Sequence, residues 1–256
     1  MKKHLLLTAS FSVLVAATPV MAQPPMPPAI FNWTGFYVGG NMGYSWGNGP
    51  VTYNEPAFSP FAPPSMTALN HLDNVIGGVQ AGYNWQMNSP WVVGVETDLQ
   101  GSFEKGRKYS TLPFSSGEGA LSTMFASKID WFGTVRGRVG WLFTPTTLVY
   151  ATGGLAYGGV GASGTLSDSS CFPACKWQFS KSATNVGWTV GAGVEGAFPA
   201  WMNGSAQHWT WKVEYLYLDL GSLSGSGFDT DFGGAYNYNA KFTDNILRVG
   251  VNYKLP

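Results

Sequence analysis

Hydrophobic and polar residues alternate with a period of two along eight segments of this chain. In residues 91–104, for example, Trp91 and Val93 share one face while Glu96 and Asp98 lie on the other. Successive side chains of a β-strand point to opposite faces, so this period predicts strands whose two faces meet different surroundings. The eight predicted strands are residues 33–47, 74–86, 91–104, 128–142, 147–160, 184–198, 209–219 and 243–255.

The connections between these segments alternate between short and long, and all 16 prolines fall outside the segments. Proline cannot donate to a β-ladder, so its positions agree with this division of the chain. Bacterial outer-membrane barrels join their strands by short periplasmic turns and longer outer loops. The pattern therefore predicts an all-β fold: an eight-stranded antiparallel up-and-down transmembrane β-barrel with short periplasmic turns and four long outer loops. The short connections are 87–90, 143–146 and 199–208, and the long ones are 48–73, 105–127, 161–183 and 220–242.

The charged residues decide which face of each strand is inside. A soluble barrel packs its apolar face inward, whereas a membrane barrel turns it to lipid. Unpaired charges in a dry centre would cost several kcal/mol each, so the charged faces are expected to line a lumen. Arginine forks suit paired carboxylates, which places the centre of the expected salt-bridge network at Arg136, Arg138, Glu214 and Arg248. The predicted lumen residues are Glu96, Asp98, Asp130, Arg136, Arg138, Glu195, Lys212, Glu214 and Arg248, with Lys128 and, near the rim, Lys254.

Tryptophans concentrate at the ends of the predicted strands. Amphipathic aromatic rings settle at both interfaces of a membrane, so these residues predict two aromatic girdles. The girdle residues are Trp85, Trp91, Trp141, Trp209 and Trp211 beside the short turns and Trp46, Trp131 and Trp188 at the opposite strand ends.

Composition supports this interpretation. Basic and acidic residues number 14 each, for a net charge of zero, and charged residues make up only 11% of the chain. A nucleic-acid-binding protein would need a basic excess, and a disordered chain would not be 45% hydrophobic. A lipid-facing surface accounts for the shortage of charge.

The amino terminus has the organisation of a secretory signal peptide. Lys2 and Lys3 precede an apolar segment, Leu5 to Ala17, that is too short to span a membrane, and Val20-Met21-Ala22 offers a cleavage site. The predicted domains are a signal peptide at 1–22, a proline-rich leader at 23–32 and the barrel at 33–256.

Cysteine and histidine offer little chemistry. Cys171 and Cys175 lie in the third long connection, where an oxidising compartment would favour an intra-loop disulfide. The chain has no metal-ligand spacing, so we expect no metal and no cofactor. His71 with Asp73 is the one histidine–carboxylate pair worth considering for catalysis, and we expect no enzymatic activity.

Six segments carry a resemblance to a known family: 31–40, 131–140, 150–157, 187–195, 212–219 and 248–253. Together they resemble the outer-membrane immunogenic protein (porin) family of Gram-negative bacteria, whose barrels are related to the OmpA transmembrane domain. The resemblance extends over nearly all of the chain after the signal peptide and implies an eight-stranded barrel in the outer membrane. Family barrels usually end on an aromatic residue that the insertion machinery reads, whereas this chain ends on Leu255-Pro256.

These observations predict a non-enzymatic outer-membrane protein with a structural role, and they leave open whether the lumen is a plug or a narrow passage for small solutes. Eight strands enclose an interior that side chains roughly fill, which favours the plug. The alternative is a binding protein or adhesin that acts through its outer loops, and a barrel enzyme is the weakest reading. The expected partners are outer-membrane lipids, the barrel insertion machinery and an extracellular ligand of the loops, with no nucleic acid, and the protein is expected to be a monomer.

Overall fold

The computed structural model describes residues 31–55, 65–87, 90–113, 119–169, 175–203, 208–229 and 234–256. The predicted signal peptide and most of the leader lie outside these residues. Within them the chain forms ten antiparallel strands and one short helix, α1 (Ala200–Asn203), and no helix there is long and apolar enough to cross a membrane. The strands are β1 (Gly35–Asn48), β2 (Val51–Asn54), β3 (Ser65–Ala68), β4 (His71–Gln86), β5 (Trp91–Pro113), β6 (Ala120–Thr144), β7 (Thr147–Asp168), β8 (Cys175–Ala197), β9 (Trp209–Asp229) and β10 (Gly234–Lys254).

The eight long strands close into a ring because β1 pairs with both β4 and β10. This confirms the predicted antiparallel β-barrel. Following hydrogen-bonded neighbours once around the ring from Trp46 returns to Phe36, ten residues lower on β1. Such a stagger over eight strands tilts each strand by about 40° from the barrel axis. The path runs through Asn245, Tyr217, Val190, Gly153, Gly137, Val95 and Tyr83.

The outer face of the ring carries an apolar band bounded by tryptophans. On β6, Trp141 and Trp131 lie ten residues apart and both point outward. At this tilt each residue advances about 2.5 Å along the axis, so the two rings stand about 25 Å apart, the height of the apolar band of an outer-membrane barrel. All eight predicted girdle tryptophans are exposed, with 37–48% of their surface accessible.

Six of the strands continue well beyond this band. β5 to β10 are 21 to 25 residues long, whereas a tilted strand crosses the membrane in about 9–11 residues. Three of the four long outer connections are therefore shorter than the sequence indicated, because most of their residues extend the barrel strands. The first connection adds a hairpin of its own, β2–β3, whose strand β2 pairs with residues 237–240 of β10. The described sheet therefore has ten strands: eight form the closed ring, and the hairpin lies outside the closure.

Above the band the strands form two sheets that face each other. The outer parts of β5, β6, β7 and β8 pair in one sheet, and β9, β10, β2 and β3 pair in the other. β8 pairs with β9 only from Trp188↔Asp219 towards the periplasmic end, so the described outer parts of these two strands carry no ladder. Aromatic rings join the sheets: Phe179 stacks on Tyr238 with centroids 4.2 Å apart, and Tyr53 lies 6.0 Å from Phe179. We call this extension the outer sandwich.

The polarity of the barrel interior thus changes at the membrane boundary. Within the apolar band the interior is polar, whereas a cluster of buried hydrophobic side chains fills the interior above it. We call the girdle at the outer strand ends (Trp46, Trp131 and Trp188) the upper girdle. β-Bulges beside it accompany this change, one between Ile129 and Trp131 on β6 and one at Gly221 on β9. Gly221 adopts φ +70°, a conformation that side chains with a Cβ rarely take, and its N–H donates to Asp219 Oδ1 at 2.7 Å.

Candidate functional site

Eight of the nine charged residues predicted for the lumen meet inside the barrel, at the level of the apolar band. Each lies on the inward face of its strand and is at most 5% exposed. The alternation that makes the outer face apolar also directs these residues inward. We call them the charge layer: Glu96 and Asp98 on β5, Arg136 and Arg138 on β6, Glu195 on β8, Lys212 and Glu214 on β9, and Arg248 on β10.

Arg136 lies at the centre of the charge layer. One terminal nitrogen contacts Glu96 at 2.5 Å and Asp98 at 2.9 Å, and the other contacts Glu214 at 3.1 Å. Its Nε donates to the hydroxyl of Thr134 at 2.9 Å, and that hydroxyl donates to Asp98 at 2.8 Å. A guanidinium has several donors fixed in one plane, and here they bind two carboxylates on the neighbouring strand β5 and one on β9 across the barrel.

The other cations complete the layer. Arg248 bridges Asp98 at 2.9 Å and Glu214 at 2.5 Å, while Lys212 donates to Glu96 at 2.8 Å. Arg138 pairs with Glu195 at 2.6 Å. Four cations therefore face four carboxylates, and the layer carries no net charge.

Two tyrosines that the sequence did not single out belong to the same network. Tyr37 donates its hydroxyl to Glu96 at 2.7 Å, and Tyr150 donates to Glu214 at 3.0 Å. The guanidinium of Arg138 lies 4.1 Å from the centre of the Tyr150 ring. Tyr37 lies on the polar face of its strand, and that position could have identified it as a residue of the barrel interior. Tyr150 lies on β7, in the glycine-rich segment 147–160 whose two faces the sequence does not distinguish.

Amide side chains extend the network towards β1 and β4. Asn41 donates to Gln80 at 2.9 Å, Gln80 donates to Asn252 at 2.6 Å, and Asn252 donates to Glu195 at 3.0 Å. These three hydrogen bonds link the uncharged side of the barrel to the charge layer, so polar contacts extend around the interior.

Asp130 and Lys128 are the exceptions to the predicted lumen. Asp130 points outward and pairs with Lys128 at 2.6 Å, and both side chains are more than 40% exposed. The bulge between Ile129 and Trp131 inserts one residue into β6. The outward side chains of β6 are therefore odd-numbered within the apolar band and even-numbered above it. The prediction that Asp130 and Lys128 face the lumen is therefore wrong. Lys254 lies at the rim, as expected, and donates to the carbonyl oxygen of Asn32.

Both ends of the charge layer are covered by apolar side chains. At the periplasmic end Trp33 is only 2% exposed, packs edge-on against Phe31 and donates its indole N–H to the carbonyl of Pro145 at 3.4 Å. Phe31 belongs to the segment that the sequence assigned to the leader. At the other end Phe132 and Leu216 are fully buried in the hydrophobic cluster that continues into the outer sandwich.

The remaining predicted chemistry is dispersed. Cys171 and the side chain of Cys175 lie outside the described residues, so their disulfide stays a prediction. His71 begins β4 near the outer boundary, and the carboxylate of Asp73 accepts a hydrogen bond from Tyr44 at 3.2 Å. Among the described residues no group of three histidine, cysteine or acidic side chains is placed to hold a metal ion.

Comparison with known proteins agrees with this architecture. Residues 10–254 match the family model for the outer membrane protein beta-barrel domain. The chain belongs to this family. It is 38% identical to the 31 kDa outer-membrane immunogenic protein of Brucella melitensis biotype 1, over 94% of this chain and 92% of that one. It is 33% identical to the 22 kDa outer membrane protein of Rhizobium leguminosarum bv. viciae, over 91% and 82% of the two chains.

Among solved structures, the outer membrane protein OprG from Pseudomonas aeruginosa aligns with 87% of this chain and 97% of its own, at 9% identity and a TM-score of 0.46. The family and its named relatives place this protein in the outer membrane. The names of these relatives also support an immunogenic surface protein.

Proposed function

We propose that this protein is a monomeric structural component of the outer membrane whose barrel is closed to solutes. The observation that carries the proposal is the charge layer, in which side chains from five strands are at most 3% exposed and neutralise one another. An aqueous channel would leave such groups hydrated, as in the wide polar lumens of porins. The closed ring of the membrane-spanning strands supports the monomer, since it leaves no free strand edge within the bilayer.

The two apolar covers support the same conclusion. A solute would have to displace Trp33 on the periplasmic side and then cross the hydrophobic cluster that contains Phe132 and Leu216. Burying an ion there without its hydration shell is costly. The contacts therefore favour the plug over the narrow passage.

Planar-bilayer recording of the refolded protein tests this proposal. We expect no steady single-channel steps at any voltage. Steady steps whose amplitude changes in Arg136→Ala but not in the exposed control Lys128→Ala would contradict it and establish a pore through the charge layer.

A second candidate function is adhesion, and it rests on the outer sandwich. Tyr109 and Phe228 lie on its surface with 66% and 63% of their area exposed, and aromatic side chains of this kind anchor many protein contacts. Bacteria that display the chain should then bind host-cell layers less well when both are changed to serine. Phe143→Ser is the matched control, because Phe143 is 77% exposed at the periplasmic end. Equal binding by all variants would remove this candidate.

A further inference from the structure

A cationic cleft lies on the outside of the barrel, directly above the upper girdle. It has a volume of about 210 Å³ and crosses the four neighbouring strands β5, β6, β7 and β8. Its cations are Lys105 and Arg107 on β5 and Lys128 on β6, and glycine, alanine and serine residues line the rest of it. Neither the charge layer nor the girdles account for this cleft.

The strand register brings like charges together in the cleft. Lys105 and Lys128 are direct Cα partners on neighbouring strands, and Arg107 is two residues further along the same face as Lys105. Like charges placed opposite each other destabilise a sheet. Asp130 neutralises Lys128, but among the described side chains neither Lys105 nor Arg107 forms an ion pair. The cleft therefore keeps an excess of positive charge that a bound anion would offset.

Small residues on β7 give the cleft its shape. Gly161 is the Cα partner of Lys128, and a Cβ there would come within 2.8 Å of Lys128 Cε. The alkyl part of Lys128 thus lies across the sheet towards β8, where Ser182 and Ser180 line the far side. Lys181 lies opposite the inward-facing Ala162 and donates to the carbonyl of Ser224 on β9 at 2.7 Å, so its ammonium points away from the cleft. Ammonium groups and serine hydroxyls are donors suited to phosphate oxygens.

The height of the cleft indicates the source of the anion. Lys128 is three residues beyond the girdle residue Trp131, with one bulged residue between them, so it stands about 5–8 Å above the apolar band. The headgroup region on each side of a bilayer has about this thickness. Below the cleft the same strands expose Leu99, Val135 and Leu155 to lipid.

We propose that this cleft binds the phosphate groups of the phosphorylated glycolipid, lipopolysaccharide, that forms the outer leaflet of the outer membrane. The phosphates lie between Lys105, Arg107 and Lys128, and the acyl chains lie against the apolar surface beneath. The proposal does not depend on whether the barrel conducts, because the site is on its outside.

The test is titration of the detergent-solubilised full chain with diphosphoryl lipid A, with bound lipid counted by native mass spectrometry. Charge-assisted hydrogen bonds to phosphate are strong enough that Lys105→Gln/Lys128→Gln should lower the affinity at least about tenfold. The control is Lys108→Gln/Lys176→Gln, which removes the same charge from the outer sandwich outside the cleft and should leave the affinity unchanged. Lys105→Arg/Lys128→Arg should retain binding, and heat-modifiable gel mobility verifies that each variant is folded.

Two further probes distinguish the source of the phosphate. Lipid A from which both phosphates have been removed should bind the original chain and the glutamine variant equally weakly. Inorganic pyrophosphate should bind far more weakly than diphosphoryl lipid A. The proposal is overturned if pyrophosphate binds as tightly as the lipid, which would indicate a free-anion site, or if the control variant loses as much affinity as the cleft variant.

Discussion

The charge layer makes a quantitative prediction for Arg136→Met. This change replaces the guanidinium by a shorter, unbranched apolar side chain and leaves four buried carboxylates facing three cations. Arg136 binds Glu96 at 2.5 Å, Asp98 at 2.9 Å and Glu214 at 3.1 Å, and its side chain has no exposed surface. Removing one partner of a buried ion pair costs about 3–5 kcal/mol, because a charge is left without compensation. We expect a loss of that size in the free energy of unfolding.

The measurement is reversible urea unfolding in lipid vesicles, followed by tryptophan fluorescence. The matched control is Lys128→Met, which breaks the exposed pair with Asp130 and should cost less than about 1 kcal/mol. Combining Arg136→Met with Asp98→Asn leaves three cations and three carboxylates. The double variant should therefore be more stable than the sum of the two single losses implies, by at least about 1 kcal/mol.

A loss in Arg136→Met no larger than that of the control would refute this prediction. That result would mean that water reaches the guanidinium, since hydrated pairs contribute little. Strictly additive losses in the double-mutant cycle would also refute it, because the charges would then not act as one neutral group.

Three other perturbations probe the remaining parts of the barrel. Gly221→Ala should lower the free energy of unfolding in urea by about 1–2 kcal/mol, because Gly221 has a φ of +70°. The control Gly153→Ala should be nearly neutral, because its Cβ would meet nothing closer than 3.4 Å. Trp33→Ala should lower the free energy of unfolding by about 3–5 kcal/mol, since it empties the periplasmic cover, and a loss below 1 kcal/mol would show that the cover is not packed. Phe179→Ala should make the outer sandwich sensitive to limited proteolysis on intact cells while heat-modifiable mobility persists, and unchanged digestion would contradict the stacking of its two sheets.

The membrane-spanning part of the barrel was predictable because its signal is local. Whether a side chain points to lipid or to the interior depends on its parity along the strand, and the neighbouring residues reveal that parity. Trp91, Val93 and Val95 therefore identified the outer face, and Glu96 and Asp98 identified the inner one. The same reasoning placed Arg136, Arg138 and Arg248 inside, where the structure has them.

Odd or even position along a strand no longer predicts the direction of a side chain where a bulge adds a residue to that strand. The bulge beside Trp131 put Asp130 and Lys128 outside, although counting from Arg136 had put them in the lumen. A bulge leaves no clear mark in a single sequence, because it is defined by the pairing between two strands. The cationic cleft follows from this change of parity, since an inward Lys128 would not face lipid headgroups.

The sequence by itself determined the class of fold, the compartment and the membrane-spanning faces, since those depend on composition and on alternation within single strands. Only the tertiary structure decided how far the strands extend, that the β2–β3 hairpin joins β10, and which of the eight charges pair with one another. These features depend on contacts between distant residues, such as Val51 with Ala240 or Glu96 with Lys212. Such contacts exist only after the ring has closed and fixed the stagger of its strands.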